Sequence, residues 1–132
     1  MAQDGLITIP AAHGVKATAD RLEAALKARG ITLFARIDHA VGAASAGLEL
    51  RPTEVLIFGD PRAGTPLMQA AQTMGLDLPL KLLVWEDADG RTWLTWNDLA
   101  WLARRYGTRG EVDATVAALN GALAKLAETA AG

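Results

Sequence analysis

The chain has 132 residues, no cysteine, two histidines, and 13 basic against 15 acidic side chains for a net charge of −2. Without thiols it can hold no disulfide framework, zinc finger or cysteine nucleophile, and two histidines leave little for a multi-histidine metal site. The length suits a single domain over residues 1–132, and area scaling gives about 6,700 Å² folded against about 20,000 Å² unfolded, enough for a self-sufficient core.

Leu6-Ile7-Thr8-Ile9 is β-branched and apolar and stops at Pro10, which predicts a short first strand. His13-Gly14 makes the turn. Val15, Ala19, Leu22 and Leu26 then step by four, three and four, one face of a helix closed by Gly30. Lys16/Asp20 and Glu23/Lys27 are opposite charges at i,i+4 on its wet side. Ile31 to Ile37 alternates imperfectly and predicts a second strand. Asp38 is a good N-cap for a short helix from His39 to about Ala46, closed by Gly47.

Glu54 to Phe58 is nearly continuous apolar, the mark of a central strand covered on both faces, and Gly59-Asp60-Pro61 stops it. Thr65-Pro66 predicts a helix start, with Thr65 as N-cap and Pro66 in the first turn, running to Met74 and ending at Gly75. Leu80 to Glu86 is a strong strand. Asp87-Ala88-Asp89-Gly90 is a turn, and Arg91 to Trp96 returns as a hairpin partner. Two registers are open, Glu86 opposite Arg91 or Asp87 opposite Arg91.

Asn97-Asp98 caps a helix over Leu99 to Tyr106. A longer one spans residues 111–129, with Val112, Val116, Leu119, Leu123 and Leu126 as a seam for the sheet or for a second chain. Asn120-Gly121 inside it costs about 1 kcal/mol of helix propensity. The order β-α-β-α-β-α-β-β-α-α predicts a two-layer α+β domain. Its sheet is expected to be mostly antiparallel, with about five strands and helices mainly on one face.

Charge and hydropathy narrow the partners. Residues 1–66 carry seven basic and seven acidic groups, and residues 67–132 six and eight, so no basic arm points to nucleic acid. The longest uncharged stretch, Ala63–Leu76, contains Thr65, Pro66, Gln69 and Gln72 and is too short and polar to span a bilayer. The Met-Ala-Gln-Asp start lacks the basic region of a secretory signal. A cytoplasmic protein without a membrane segment is the expectation.

Several ordered blocks carry a resemblance. They are Ile37-Asp38-His39-Ala40, Gly47 to Thr53, Leu56-Ile57-Phe58-Gly59-Asp60-Pro61 with Gly64-Thr65-Pro66-Leu67-Met68, Leu76 to Lys81, and Val84 to Gly90. Together, over about residues 15–100, they resemble the domain-of-unknown-function family numbered 302. The C-terminal helix lies largely outside them. The resemblance implies a curved antiparallel sheet with helices on one side, similar in architecture to the TATA-binding-protein sheet, and a homodimer. It implies no activity. Where that family shows Gly-Asn-Pro, this chain has Gly59-Asp60-Pro61, which puts a carboxylate in place of an amide donor.

Four residues stand out as candidate ligand contacts: His39, Arg51, Asp60 and Thr65. His39 in the first turn of a helix is favoured as neutral imidazole, able to serve as base or ligand, unless its ring only closes the helix start. Arg51 could clamp a carboxylate or phosphate, or pair internally with Glu49 or Glu54. Gly59 to Pro66 is a strand, a turn and a helix start with Arg62 nearby, but it lacks the P-loop ending, and Asp60 opposes a bound anion. Trp85, Trp93, Trp96 and Trp101 suit packing more than ligand stacking. Trp101 with Arg104, Arg105, Tyr106 and Arg109 is too short a basic-aromatic cluster for a nucleic-acid footprint. His39, Tyr106 and three methionines are the only side chains that could ligate haem, and no attachment motif accompanies them.

No metal and no cofactor are expected. The leading expectation is a dimeric module binding a small ligand or a protein partner. The alternatives are an enzyme with His39 as general base and Arg51 as anion clamp, and nucleic-acid binding through the sheet.

Overall fold

A computed structural model describes residues 4–132. Met1–Gln3, expected to form no part of a secretory signal, lie outside the described residues. Five strands alternate with helices in chain order: β1 (Leu6–Ala11), α1 (Val15–Ala28), β2 (Thr32–Asp38), α2 (His39–Ser45), β3 (Thr53–Gly59), α3 (Pro61–Ala70), a 3-10 turn (Gln72–Leu76), β4 (Leu80–Glu86), β5 (Thr92–Asn97), α4 (Leu99–Arg105) and α5 (Asp113–Ala131). Every neighbouring strand pair is antiparallel, in the order β1-β5-β4-β3-β2. The predicted α+β class and five-stranded antiparallel sheet are therefore observed.

One face of the sheet is the core. Leu56 and Phe58 of β3, Leu82 and Val84 of β4, and Leu94 and Trp96 of β5 are buried there, together with Leu22 and Leu26 of α1 and Val116, Leu123 and Leu126 of α5. The period of two along the strands and of 3.6 along α1 puts these side chains on facing surfaces. The α5 seam packs within the chain. Its C-terminal carbonyls are taken by Arg21, whose Nε and Nη2 donate to Ala130 and Thr129 at 3.1 and 3.0 Å, and by the Ala12 N–H to Ala131 at 2.9 Å.

Local chemistry explains the boundaries. The Ile31 N–H reaches back to the Leu26 carbonyl at 3.0 Å across Gly30, whose φ of +67° allows the chain to leave α1. Asp38 caps α2 by accepting from the Val41 N–H at 2.9 Å. The hairpin takes the register with Asp87 opposite Arg91, so that Trp85 faces Trp93. Asp87 Oδ1 accepts from the Asp89 and Arg91 N–H groups at 2.9 Å, and its Oδ2 from the Trp93 indole at 2.9 Å. These bonds fix the turn.

Three expectations need correction. First, α3 begins at Pro61, not Pro66, with Asp60 as the cap accepting from the Arg62 N–H at 2.9 Å. Asp60-Pro61 is the same cap-and-proline signal as Thr65-Pro66 and comes earlier, and Pro66 lies inside the helix. Second, α3 does not reach Met74. Ala71 adopts extended angles and the chain restarts as the 3-10 turn. Third, β3 is interior but not the middle strand, and its outward Val55 and Ile57 are half-buried rather than covered.

Asn120 has a use that helix propensity hides. Its Oδ1 accepts from the Leu99 N–H and its Nδ2 donates to Asp98 Oδ1, both at 3.0 Å, so α5 fastens the start of α4.

Candidate functional site

The sheet and α3 meet at the C-terminal end of β3. Between Leu33 and Ala35 the β2–β3 register slips, a bulge that leaves Phe34 unpaired, and this accounts for the imperfect alternation of β2. Phe34 turns over the end of β3, where Gly59 has no side chain. Behind it stand Met68 of α3, Gly75 of the 3-10 turn, Leu78-Pro79 at the entry to β4, and Leu119 of α5. They line a half-open cavity of about 240 Å³. Its wall is nearly all apolar. Asp60 and Thr65 are the polar side chains on it.

Glycine keeps the space open. A Cβ on Gly59 would lie 3.7 Å from Pro79 and 3.8 Å from Phe34. One on Gly64 would lie 3.9 Å from Leu78 and from Met68. At Gly75 it would come within 3.2 Å of Met68 Sδ, tighter than a normal contact. The 3-10 turn that carries Gly75 is tied to α4 through Asp77. Its Oδ2 accepts from the Tyr106 hydroxyl and from Arg105 Nη1, the latter at 3.1 Å. The Asp77 carboxylate holds the Tyr106 phenol above its usual pKa by accepting a hydrogen bond from its hydroxyl, which favours the protonated form.

The predicted site residues fall into two groups. Asp60 and Thr65 border the cavity, and most of its wall on that side is the Gly59–Thr65 stretch. His39 and Arg51 do not border it. His39 starts α2 on an exposed surface. Arg51 is exposed, and its Nε donates to the Glu86 carbonyl at 3.3 Å. The Arg51–Glu54 pair is not formed, because Glu54 Oε1 accepts from Arg36 Nε at 2.8 Å. Arg36 Nη1 also reaches Asp20 at 2.7 Å and Glu23 at 3.1 Å, so it joins α1 to β2 and β3.

The tryptophans serve packing. Trp85 and Trp93 stack with centroids 6.4 Å apart, and Trp85 Nε1 donates to Thr95 Oγ1 at 2.8 Å. Trp96 is core, and Trp101 packs over Gly5. Arg105 and Tyr106 of the basic-aromatic cluster are occupied with Asp77. Phe34, Met68, Gly75, Pro79 and Leu119 are missed by sequence reasoning as site residues. The one signal toward them is glycine, at the end of β3 (Gly59), inside α3 (Gly64) and in the 3-10 turn (Gly75).

Fold and site together define a two-layer α+β domain with a small apolar cavity at the end of an interior strand. The chain belongs to the family described as Domain of unknown function DUF302, whose model matches residues 7–126. A crystal structure of an uncharacterized conserved DUF302 protein from Bacillus stearothermophilus has the same fold, with a TM-score of 0.85 at 20% identity over 97% of this chain and 99% of that one. Two curated relatives are each named Fluoride-specific ion channel FluC 1. The protein of Brucella suis biovar 1 (strain 1330) is 45% identical over 128 residues, which is 97% of this chain and 50% of that protein. The protein of Brucella abortus biovar 1 (strain 9-941) is also 45% identical over 128 residues, 97% of this chain and 47% of that protein. The chain thus spans about half the length of these relatives. No helix among the described residues is long and apolar enough to cross a membrane.

Proposed function

We propose that this chain is a homodimeric cytoplasmic module that binds a small molecule in the cavity at the β3–α3 turn. The observation that carries this reading is the cavity itself: about 240 Å³, walled by apolar side chains, with Asp60 and Thr65 as the polar groups that orient what enters. Two predicted contact residues, Asp60 and Thr65, are part of it. The catalytic alternative gains no support, because His39 and Arg51 share no cavity with them. Nucleic-acid binding through the sheet gains none either, since the row Ile37, Val55, Leu83, Thr95 and Thr8 across its outer face brings no basic side chain.

Dimerisation is supported by exposed apolar side chains on β2, where Phe34 is 54% and Ile37 42% exposed. Native mass spectrometry of protein purified from cells tests both halves. A species of twice 13.9 kDa carrying a small added mass is expected. A bare single chain contradicts the proposal.

A second reading rests on the relatives' name. Their matched half aligns with a chain in which no described helix suits a membrane, so we read that half as an accessory to the pore rather than the pore. On this reading the chain works beside fluoride export. A strain deleted for this chain would then grow more slowly than its parent in fluoride. Equal growth removes the reading.

A further inference from the structure

We infer that the cavity takes a small apolar amine, with its ammonium at Asp60. This rests on the cavity being the binding site. Size comes first. A cavity of about 150 Å³ admits benzene, so 240 Å³ has room for a ligand of about eight to ten heavy atoms. Phe34, Met68, Leu78, Pro79 and Leu119 can surround an aryl or alkyl body of that size. They offer it no strong donor.

Charge then sets the head group. Among the described residues Asp60 is the one acidic residue lining the cavity, and no basic residue lines it. Asp60 Oδ1 is engaged by the Arg62 N–H at 2.9 Å as the helix cap, and the Arg62 Nε is 3.9 Å from that same oxygen on a side chain 94% exposed. The other carboxylate oxygen has no hydrogen-bond donor among the described residues, which leaves an acceptor on a residue that lines the cavity. A carboxylate only accepts, so the ligand must donate. A ligand carboxylate or phosphate would meet like charge there, whereas an ammonium meets its complement. The site is half open to water, so the preference for charge is modest.

Three probes of one shape read this out: benzylamine, benzyl alcohol and benzoate, titrated by calorimetry into wild type, Asp60→Asn and Gly64→Ala. Asparagine keeps the N-cap, so the first variant changes charge and not the helix start. The Gly64 Cβ would sit 3.9 Å from the wall, so the second narrows the cavity without a clash. Benzylamine is expected to bind about three- to fivefold tighter than benzyl alcohol, and benzoate weakest, with Asp60→Asn abolishing the difference between amine and alcohol. Gly64→Ala is expected to weaken all three several-fold. Benzoate binding as tightly as benzylamine, or an amine preference that survives in Asp60→Asn, overturns the amine assignment and leaves the cavity standing. No binding of any probe up to about 10 mM, or affinities that Gly64→Ala does not change, overturns the cavity as the site as well.

Discussion

Arg36 is the partner of Glu54, the buried carboxylate of the sheet. It lies across from Leu56 on the core side of β2 and meets Glu54, which is 7% exposed, while also holding two acids of α1. A guanidinium fork suits three acceptors at once, and lysine cannot copy it. Removing it strands a buried carboxylate. Arg36→Ala should therefore cost about 2–3 kcal/mol in urea unfolding, with Arg36→Lys intermediate and Glu54→Gln restoring part of the loss in the double variant. A loss within the ~0.5 kcal/mol of ordinary surface changes would contradict this role.

Asp87 makes a different residue-scale prediction, in pH. The Trp93 indole N–H, then the Arg91 backbone N–H, hold its carboxyl below the ordinary 3.8. A carboxyl depressed on folding stabilises the fold above its unfolded pKa, and that stability is lost as pH falls through the folded value. The loss falls in the acid range below about 3.8. Asp87→Asn should flatten that part of the Tm-against-pH curve and leave the slope near neutrality unchanged. An unchanged acid limb would remove the assignment.

At the scale of elements, most of the chain was legible because local signals agreed. Val15, Ala19, Leu22 and Leu26 share one face and all four are buried. The Asp87–Gly90 turn sits between two strands of matching period, and only its register was open. The start of α3 is ambiguous in sequence because Asp60-Pro61 and Thr65-Pro66 offer the same signal. Contacts between residues distant in sequence leave no local signal at all. Asn120 looked like a defect in α5 because Asp98, its partner, is 22 residues away.

The cavity has the same long-range character. Asp60 and Thr65 are legible because they are close in sequence, the cap of α3 and its second turn, while Phe34, Gly75, Pro79 and Leu119 arrive from four other segments. His39 and Arg51 drew attention by residue type alone, and type does not place a side chain in a cavity. One element-scale prediction follows for α3. Gly64 lies inside the helix, its φ is not in the left-handed region, and nothing clashes with an added methyl group. Gly64→Ala should thus raise stability by up to about 1 kcal/mol through helix propensity, seen as a higher Tm. A lower Tm would mean that the backbone there is strained.

At the scale of the whole molecule, the sheet leaves one face without a helix layer of the kind that α1 and α5 supply on the other. Ile37, Val55, Leu83, Thr95 and Thr8 form a row across all five strands on that side. Ile37 is 42% exposed and Phe34 is 54% exposed. The apolar part of that row, Ile37, Val55 and Leu83, fits the proposed dimer. Ile37→Glu with Leu83→Glu should leave the helix-side core intact and give a single-chain mass by light scattering. A wild type that already runs as one chain at micromolar concentration would refute the dimer without touching the cavity.

The proposed function requires that something small bind at the β3–α3 turn. Amide shift mapping of the protein titrated with benzyl alcohol tests it without relying on charge. Perturbations centred on the Gly59, Gly64 and Gly75 amides are predicted. Perturbations confined to the His39 and Arg51 surface, or none at all, would contradict the claim.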